Sequence, residues 1–281
     1  MEQHSLLHSS TTTSSSPFAS SCLARHSIAD WILTIVIWVV GMHLDHAPPF
    51  ERDIRPQLHD PDISYPHTTG PQQQIPAWLL WRLAVPLPLL LLVPLALFPP
   101  RNVPSLRLLA ELWLGLLTSV GGALFLVCLV KNRVGRLRPD FLARCLPDAN
   151  GVCTGDAKTI LEGRKSFPSG HSALSFSGLF YVSLCAYMRL APIPTPRLGR
   201  VWKVVLPALP WLVATHVALS RIQDYWHHWQ DILVGTLLGH ICAFASYRLR
   251  FGASGGLVPT SVSAEEEQSL LKVRSPPAEP V

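Results

Sequence analysis

The sequence has few charged residues for its length. Asp, Glu, Lys and Arg make up 15% of its 281 residues, whereas apolar residues make up 48%. A soluble globular domain carries about 25% charged residues, so this composition argues against an ordinary soluble domain. Mean hydropathy is positive, at +0.28, and the nine Trp residues are of a type that gathers at membrane interfaces. The composition therefore predicts an all-α bundle of membrane helices.

Cysteine is also scarce, since six residues are too few for a disulfide scaffold. Cys128, Cys185 and Cys242 fall in apolar runs, where cysteine is a small buried hydrophobe. Cys145 and Cys153 instead share one polar loop. A disulfide would form there if the loop faces an oxidising lumen, and two free thiols fit the sequence as well.

The chain lacks internal repeats and a Gly-rich dinucleotide-binding turn. Its net charge of +5 would fit either nucleic acid or anionic lipid as a partner. However, the basic residues lie between apolar stretches, and five of them fall between Lys131 and Arg144. This placement suits a bound phosphate group, so we expect no nucleic-acid partner.

The chain contains six apolar stretches, and most of them approach the length of roughly 20 residues that a helix needs to cross the hydrocarbon core of a membrane. A signal peptide is the alternative for the first stretch, but no small-residue cleavage site follows it. We expect a disordered Ser/Thr-rich N-terminus over 1–25, a six-span domain over 26–250 and a flexible tail over 251–281. The stretches are Ile28–Met42, Ala77–Phe98, Leu106–Val130, His171–Leu190, Val204–Leu219 and Ile232–Tyr247.

Six crossings place both termini on one side and segments 43–76, 131–170 and 220–231 on the other. Basic residues near the termini predict that the termini are cytosolic and the opposite face lumenal or extracellular. In the tail, Glu266 with Leu270 and Leu271 matches an acidic dileucine sorting signal, a short pattern that also arises by chance. We expect an endomembrane or vacuolar membrane rather than the plasma membrane.

The first chemically suggestive cluster runs from Lys131 to Pro139. Lys131 and Arg138 are seven residues apart, about two helical turns, so one helix face can carry both. Arg138 can bind phosphate oxygens with a bidentate fork, and Lys131 can act as a point charge. A basic juxtamembrane cluster that touches anionic headgroups is the alternative.

The second cluster, Ser166-Phe167-Pro168-Ser169-Gly170-His171, opens the fourth stretch. Ser169 is a suitable N-cap, and Gly170 allows the backbone to approach an anion closely. His171 could donate a proton to a departing alkoxide. An ordinary capped membrane helix with an interfacial His fits equally well.

The third cluster joins the fifth stretch to the sixth. His227 and Asp231 are four residues apart, so on a helix their side chains meet, and Asp231 could orient the ring and stabilise its charged form. Arg221 could bind the phosphate that His227 attacks. His228 has Ile232 at the matching position, so the spacing favours His227. A His–Asp pair without catalytic function is the alternative.

All three clusters fall on one predicted membrane face. Their patterns, Lys-x6-Arg-Pro, Pro-Ser-Gly-His and Ser-Arg-x5-His-x3-Asp, resemble the three signatures of type-2 phosphatidate phosphatases, also called lipid phosphate phosphatases. The similarity covers roughly residues 28–250. Within this family, segments such as Pro49–Arg52, Asp62–Pro66 and Arg138–Phe141 are similar to the fungal diacylglycerol pyrophosphate phosphatase branch.

The resemblance implies a six-span bundle of the phosphatase and haloperoxidase type, and it implies roles for individual residues. His227 would attack phosphorus and become a phosphohistidine, Asp231 would orient it, and His171 would protonate the leaving group and later activate water. No metal and no cofactor are implied. The groups implied to hold the phosphoryl oxygens are Lys131, Arg138, Ser169, Gly170 and Arg221.

The implied substrates are phosphorylated lipids in the bilayer: phosphatidate, diacylglycerol pyrophosphate or lysophosphatidate. Isoprenoid or sphingoid phosphates are alternatives, because the site residues mostly contact phosphate. A catalytically silent lipid-binding scaffold would lack His171, Arg221 or His227, and all three are present. A haloperoxidase would leave six membrane spans without a clear reason. The sequence does not indicate an oligomeric state.

Overall fold

A computed structural model describes residues 17–69, 72–100, 103–194, 199–252 and 257–260. The Ser/Thr-rich run within the predicted N-terminal segment and the dileucine pattern of the tail lie outside these residues. The first described helix begins at Pro17, ahead of the first predicted apolar stretch. Within the described residues the chain is helical, and its β-type pairing is one isolated bridge between Pro147 and Cys153.

Ten α-helices are found in the part of the chain that the structure describes. They are α1 Pro17–His46, α2 Ala77–Ala84, α3 Pro86–Leu97, α4 Ser105–Val134, α5 Phe141–Cys145, α6 Ala157–Gly163, α7 Gly170–Ser175, α8 Tyr181–Leu190, α9 Trp202–Gln223 and α10 Trp229–Phe251.

Six helical segments are long and apolar enough to cross a membrane, which confirms the predicted number of spans. Two of them are composite. The second span breaks between α2 and α3, where Pro86 begins α3, because proline has no N–H to continue the helical ladder. The fourth span joins α7 to α8 through a π-helical turn, Phe176–Phe180. The segments are Ile28–His46, Ala77–Leu97, Ser105–Val134, Gly170–Leu190, Trp202–Gln223 and Trp229–Phe251.

The third span, α4, lies at the centre of the bundle and packs against α1, α3, α7 and α10. Its most apolar window is 56% buried, compared with 11% for the window of α1. Buried side chains one turn apart, Leu108, Leu112 and Leu116, form the apolar stripe that faces the neighbouring helices. The core therefore surrounds α4, and α1 lies at the periphery.

Two glycines allow the fourth span to approach its neighbours closely. A Cβ atom at Gly178 would lie 2.2 Å from the carbonyl oxygen of Ala84 in α2. A Cβ atom at Gly235 in α10 would lie 2.5 Å from the carbonyl oxygen of Ser169. Both contacts are with backbone atoms, so a side chain at either glycine would push two spans apart.

The long connections at one end of the bundle form a small domain-like cap. Residues 47–76 contain two 3₁₀ turns, Arg55–Gln57 and Pro61–Ile63, and they pack with α5 and α6. Ile54, Ile63 and Phe141 are buried in its core. The structure has a disulfide between Cys145 and Cys153 in this cap, so the alternative of two free thiols does not hold.

We predict that Gly178→Ala lowers the stability of the bundle by about 1–3 kcal/mol, because the added methyl overpacks against a backbone carbonyl. Gly122→Ala in α4 is the matched control, since the nearest atom to its Cβ would be 3.9 Å away. We expect the control to melt at or slightly above the wild-type temperature, because Ala favours helix over Gly. Thermal unfolding of the purified protein in detergent checks both; equal melting temperatures for wild type and Gly178→Ala would contradict the packing.

Candidate active site

The three clusters meet at one end of the bundle, beneath the cap. Lys131 lies in the last turn of α4, and its Nζ would be 3.4 Å from a Cβ atom at Gly170. The backbone N–H of Ser169 donates to the carbonyl oxygen of Asp231 at 3.0 Å. The ends of α4 and α9 and the starts of α7 and α10 therefore share one site.

The predicted helical face that carries both Lys131 and Arg138 is wrong. Helix α4 ends at Val134 because Gly135 takes a left-handed conformation, with φ of +55°. A Cβ atom at Gly135 would lie 1.9 Å from the carbonyl oxygen of Phe50, so the chain must turn there with a glycine. Arg138 reaches the site from the following loop, where its N–H donates to Gly163 O at 2.8 Å.

The guanidinium of Arg138 is buried and only partly satisfied. Its Nε donates to the carbonyl oxygen of Glu162 at 2.8 Å, and its Nη2 donates to the Glu162 carboxylate at 3.2 Å. Its Nη1 is buried without a partner among the described residues. Burial, with a further contribution from the charge of Arg144, lowers the pKa of Arg138 to about 10. The group is therefore still a cation at neutral pH, with one unused donor.

The second cluster starts the fourth span as predicted. Ser169 is the N-cap of α7, and its hydroxyl oxygen accepts from the N–H of Ser172 at 3.4 Å. His171 follows in the first turn, and its Nε2 donates to the carbonyl oxygen of Ile75 at 3.1 Å. This contact with the cap leaves Nδ1 as the nitrogen that could exchange a proton with a ligand.

Arg221, at the end of α9, is fully buried. Its Nη2 donates to Asp224 Oδ2 at 2.6 Å, and its Nη1 donates to the amide oxygen of Gln73 at 3.4 Å. The Asp224 carboxylate also accepts from the N–H of Gln74. Sequence reasoning missed Asp224 and Gln73. Asp224 could have been found from its spacing of three residues from Arg221, which is within one helical turn. Gln73 could not, because it lies far from Arg221 in sequence.

His227 lies outside a helix, because α10 begins only at Trp229. The predicted helical pairing with Asp231 is therefore replaced by a looser one. Nδ1 of His227 lies 3.8 Å from Asp231 Oδ2, and this nitrogen is buried with no hydrogen-bond partner among the described residues. The carboxylate instead accepts from Arg136 at 2.7 Å and from Ser166 at 2.6 Å. Sequence reasoning missed both of these groups.

The neighbouring His228 is the N-cap of α10, and both of its ring nitrogens face oxygen atoms. Its Nδ1 lies 3.3 Å from Asp231 Oδ2, and its Nε2 donates to the carbonyl oxygen of Asp62 at 3.2 Å. The sequence spacing favoured His227 over His228, but the ring of His228 is the one closer to the Asp231 carboxylate. Its role here is structural, because neither nitrogen is free.

The electrostatic environment keeps His227 neutral. Burial lowers the pKa of its imidazole to about 3, and the positive charges of Arg138 and Lys131 act in the same direction, although Asp231 opposes them. A neutral imidazole has one nitrogen with a free lone pair at physiological pH. The site therefore combines a nucleophilic nitrogen with the buried cations Lys131, Arg138 and Arg221.

The arrangement favours a tetrahedral oxyanion over a metal. No group of three or more His, Cys, Asp or Glu side chains in the described ranges could hold a metal ion. The carboxylates near the cations, Glu162 and Asp224, are already engaged by Arg138 and Arg221. Chemically, the site can bind a phosphate group and present an imidazole to its phosphorus atom.

Comparisons with known proteins point in the same direction. The PAP2 superfamily profile matches residues 112–254. Lipid phosphate phosphatase 2 of Arabidopsis thaliana is 35% identical, over 80% of this chain and 77% of that protein. Diacylglycerol pyrophosphate phosphatase 1 of Saccharomyces cerevisiae is 33% identical, over 81% of each chain. The probable diacylglycerol pyrophosphate phosphatase 1 of Schizosaccharomyces pombe is 37% identical, over 72% of this chain and 73% of that protein. No solved structure gives a match.

We predict that vanadate or inorganic phosphate raises the melting temperature of the purified protein, because a bound anion stabilises the folded state by about 2.7 kcal/mol at a hundredfold excess over Kd. Arg138→Leu should remove this shift. Arg133→Leu, which replaces an exposed cation of the same segment, should retain it. An equal shift in both variants would show that the anion binds elsewhere.

Proposed function

The chain belongs to the PAP2 superfamily, and from that premise we propose that it is a metal-independent lipid phosphate phosphatase that works through a phosphohistidine. Membership supports a hydrolase that acts on phosphate esters. The observation that carries the proposed mechanism is a buried, neutral imidazole at His227 beside the partly unsatisfied guanidinium of Arg138. That pairing of nucleophile and oxyanion receptor is what hydrolysis of a phosphate monoester requires.

The cations bind the phosphoryl group first. Arg138 offers its unused Nη1, Arg221 offers the N–H bonds not given to Asp224, Gln73 and Ser220, and Lys131 adds a point charge. The backbone N–H of Gly170, which lies close to Lys131, and the hydroxyl of Ser169 at the start of the fourth span complete the proposed cage, since the Ser169 N–H is already donated to Asp231. Charge of this kind stabilises the transition state most when water is excluded, as it is from these buried groups.

His227 is the proposed nucleophile. Its free ring nitrogen attacks phosphorus, a nitrogen–phosphorus bond forms, and the bond from phosphorus to the lipid oxygen breaks. The ring becomes positively charged, and its Nδ1–H then has the Asp231 carboxylate 3.8 Å away. A small approach of the two groups would make that hydrogen bond and stabilise the charged intermediate. His228 is a poor alternative, because both of its nitrogens are engaged.

His171 is the proposed acid and base. As an imidazolium it can keep one N–H on the carbonyl oxygen of Ile75 and give the other proton to the departing lipid alkoxide. The neutral ring then takes a proton from water, whose oxygen attacks phosphorus. The nitrogen–phosphorus bond breaks, inorganic phosphate leaves, and His227 is restored.

The location of the site supports a lipid substrate. The site lies at the ends of the spans, where a headgroup can reach the cations while the acyl chains remain in the bilayer. The names of the relatives motivate phosphatidate, lysophosphatidate and diacylglycerol pyrophosphate as substrates. The proposed site residues would mostly contact phosphate rather than the lipid tail, so isoprenoid and sphingoid phosphates are to be compared in the same assay.

We further propose that both termini are cytosolic and that the site faces the lumen of an endomembrane compartment or the vacuole. Two observations support this orientation. When the basic residues of the proposed phosphate-binding clusters are set aside, those that remain follow the positive-inside pattern. The Cys145–Cys153 disulfide lies in the cap beside the site, as expected on an oxidising side of the membrane. The proposed phosphatase domain is residues 26–250, with phosphorylated lipid and the bilayer as partners and without nucleic acid.

We predict that the protein in mixed micelles releases phosphate from phosphatidate at an unchanged rate in EDTA, because no step uses a metal. His227→Gln should lower kcat/KM by about 10³-fold or more, as loss of a nucleophile does. His216→Gln, an exposed histidine of α9, is the matched control and should remain active. Activity that disappears with the chelator would contradict the metal-free mechanism, and an active His227→Gln variant would contradict the nucleophile.

A further inference from the structure

The indole of Trp226 contacts two guanidinium groups. The Cζ atom of Arg138 is 4.4 Å from the ring centroid, and the Cζ atom of Arg144 is 4.6 Å from it. Both distances are within the range of a cation–π interaction. Trp226 directly precedes His227, yet the third sequence pattern allows any residue at its position.

Besides the indole, the guanidinium of Arg138 is held by Glu162, whose carbonyl oxygen accepts from Nε at 2.8 Å and whose carboxylate accepts from Nη2. Its ion pair with Glu162 spans 3.2 Å, but the carboxylate side chain is 44% exposed. An ion pair with a partner in water contributes little. The indole face is the remaining large contact of this buried guanidinium, and cation–π contacts are strongest where water is excluded.

The second guanidinium at the ring is fixed by a buried ion pair. Arg144 makes a bidentate pair with Asp140, with both distances at 2.8 Å and both side chains buried. Asp140 also pairs with His67 at 2.7 Å. Arg144 precedes Cys145, whose disulfide closes the adjacent loop. Asp140 compensates the charge of the second guanidinium in part, and the charge that remains still lowers the pKa of Arg138.

The edge of the ring is fixed as well. Nε1 of Trp226 donates to the hydroxyl of Thr68 at 2.9 Å, and that hydroxyl donates to the carbonyl oxygen of Asp224 at 2.8 Å. The ring is therefore held by Arg144 and Thr68 of the cap, and Arg138 contacts the same ring.

We propose that Trp226 is a positioning residue that holds Arg138 by a cation–π contact, so that the unused Nη1 of Arg138 stays available to the phosphoryl group. This inference rests on the proposed function and deepens it. It requires the π face of the ring and not merely its bulk. Trp226→Phe should therefore preserve phosphate binding, whereas Trp226→Leu should weaken it.

The experiment compares Trp226→Phe and Trp226→Leu with Trp229→Leu, which removes a tryptophan that is 63% exposed and outside the proposed machinery. The readouts are KM and kcat for phosphatidate and the inhibition constant of vanadate. We expect Trp226→Leu to raise the inhibition constant and KM about tenfold, the change that a lost buried cation–π contact gives. Trp226→Phe should stay within about threefold of wild type, and Trp229→Leu should have the same constants as wild type.

Equal losses in the Phe and Leu variants, or wild-type inhibition in Trp226→Leu, would overturn the inference. If Trp226→Leu does not fold, Thr68→Val keeps the indole and removes the hydroxyl that accepts from Nε1 of Trp226. We then expect about threefold weaker vanadate inhibition, since one hydrogen bond is lost, and unchanged inhibition would overturn the inference.

The same data separate this inference from the proposed function. A wild-type protein that neither hydrolyses phosphatidate nor binds vanadate would contradict the function itself. An active wild type that loses activity in Arg138→Leu but is indifferent to Trp226→Leu would contradict only the positioning role.

Discussion

The structure depends on keeping three buried cations together at one end of an apolar bundle. Lys131, Arg138 and Arg221 are all buried, and burying a charge is costly unless partners compensate. Carboxylates compensate only in part: Asp224 holds Arg221, and a half-exposed Glu162 holds Arg138. We propose that the remaining positive charge binds a phosphate dianion. The same charge, together with burial, lowers the pKa of His227 and keeps its imidazole neutral.

Much of this fold follows from local features of the sequence. A membrane span is identified by its length and apolar content, so six spans and the shared face of the three clusters could be predicted without long-range information. The Ser169 N-cap was predictable for the same reason, since a cap is defined within four residues. Family resemblance then supplied candidate roles that composition and spacing could only suggest.

The parts that could not be predicted are those that tertiary contacts determine. Gly135 ends α4 before Arg138 because the chain passes Phe50 there, and α10 starts too late to include His227. The carboxylate of Asp231 is held by Arg136, 95 residues away in sequence. Spacing within one helix carries no information on such contacts. The local pattern predicted groups that the structure brings together, but it assigned the wrong geometry to Arg138 and His227.

The proposed mechanism requires that a phosphoryl group is transferred from the lipid to His227. The most direct measurement is to mix the protein briefly with phosphatidate, quench in alkali, and map the phosphorylated peptide by mass spectrometry. The account predicts an acid-labile phosphoryl group on His227, with none on the adjacent His228. A phosphoryl group on His228 or on a serine, or turnover without any phosphorylated enzyme, would contradict it.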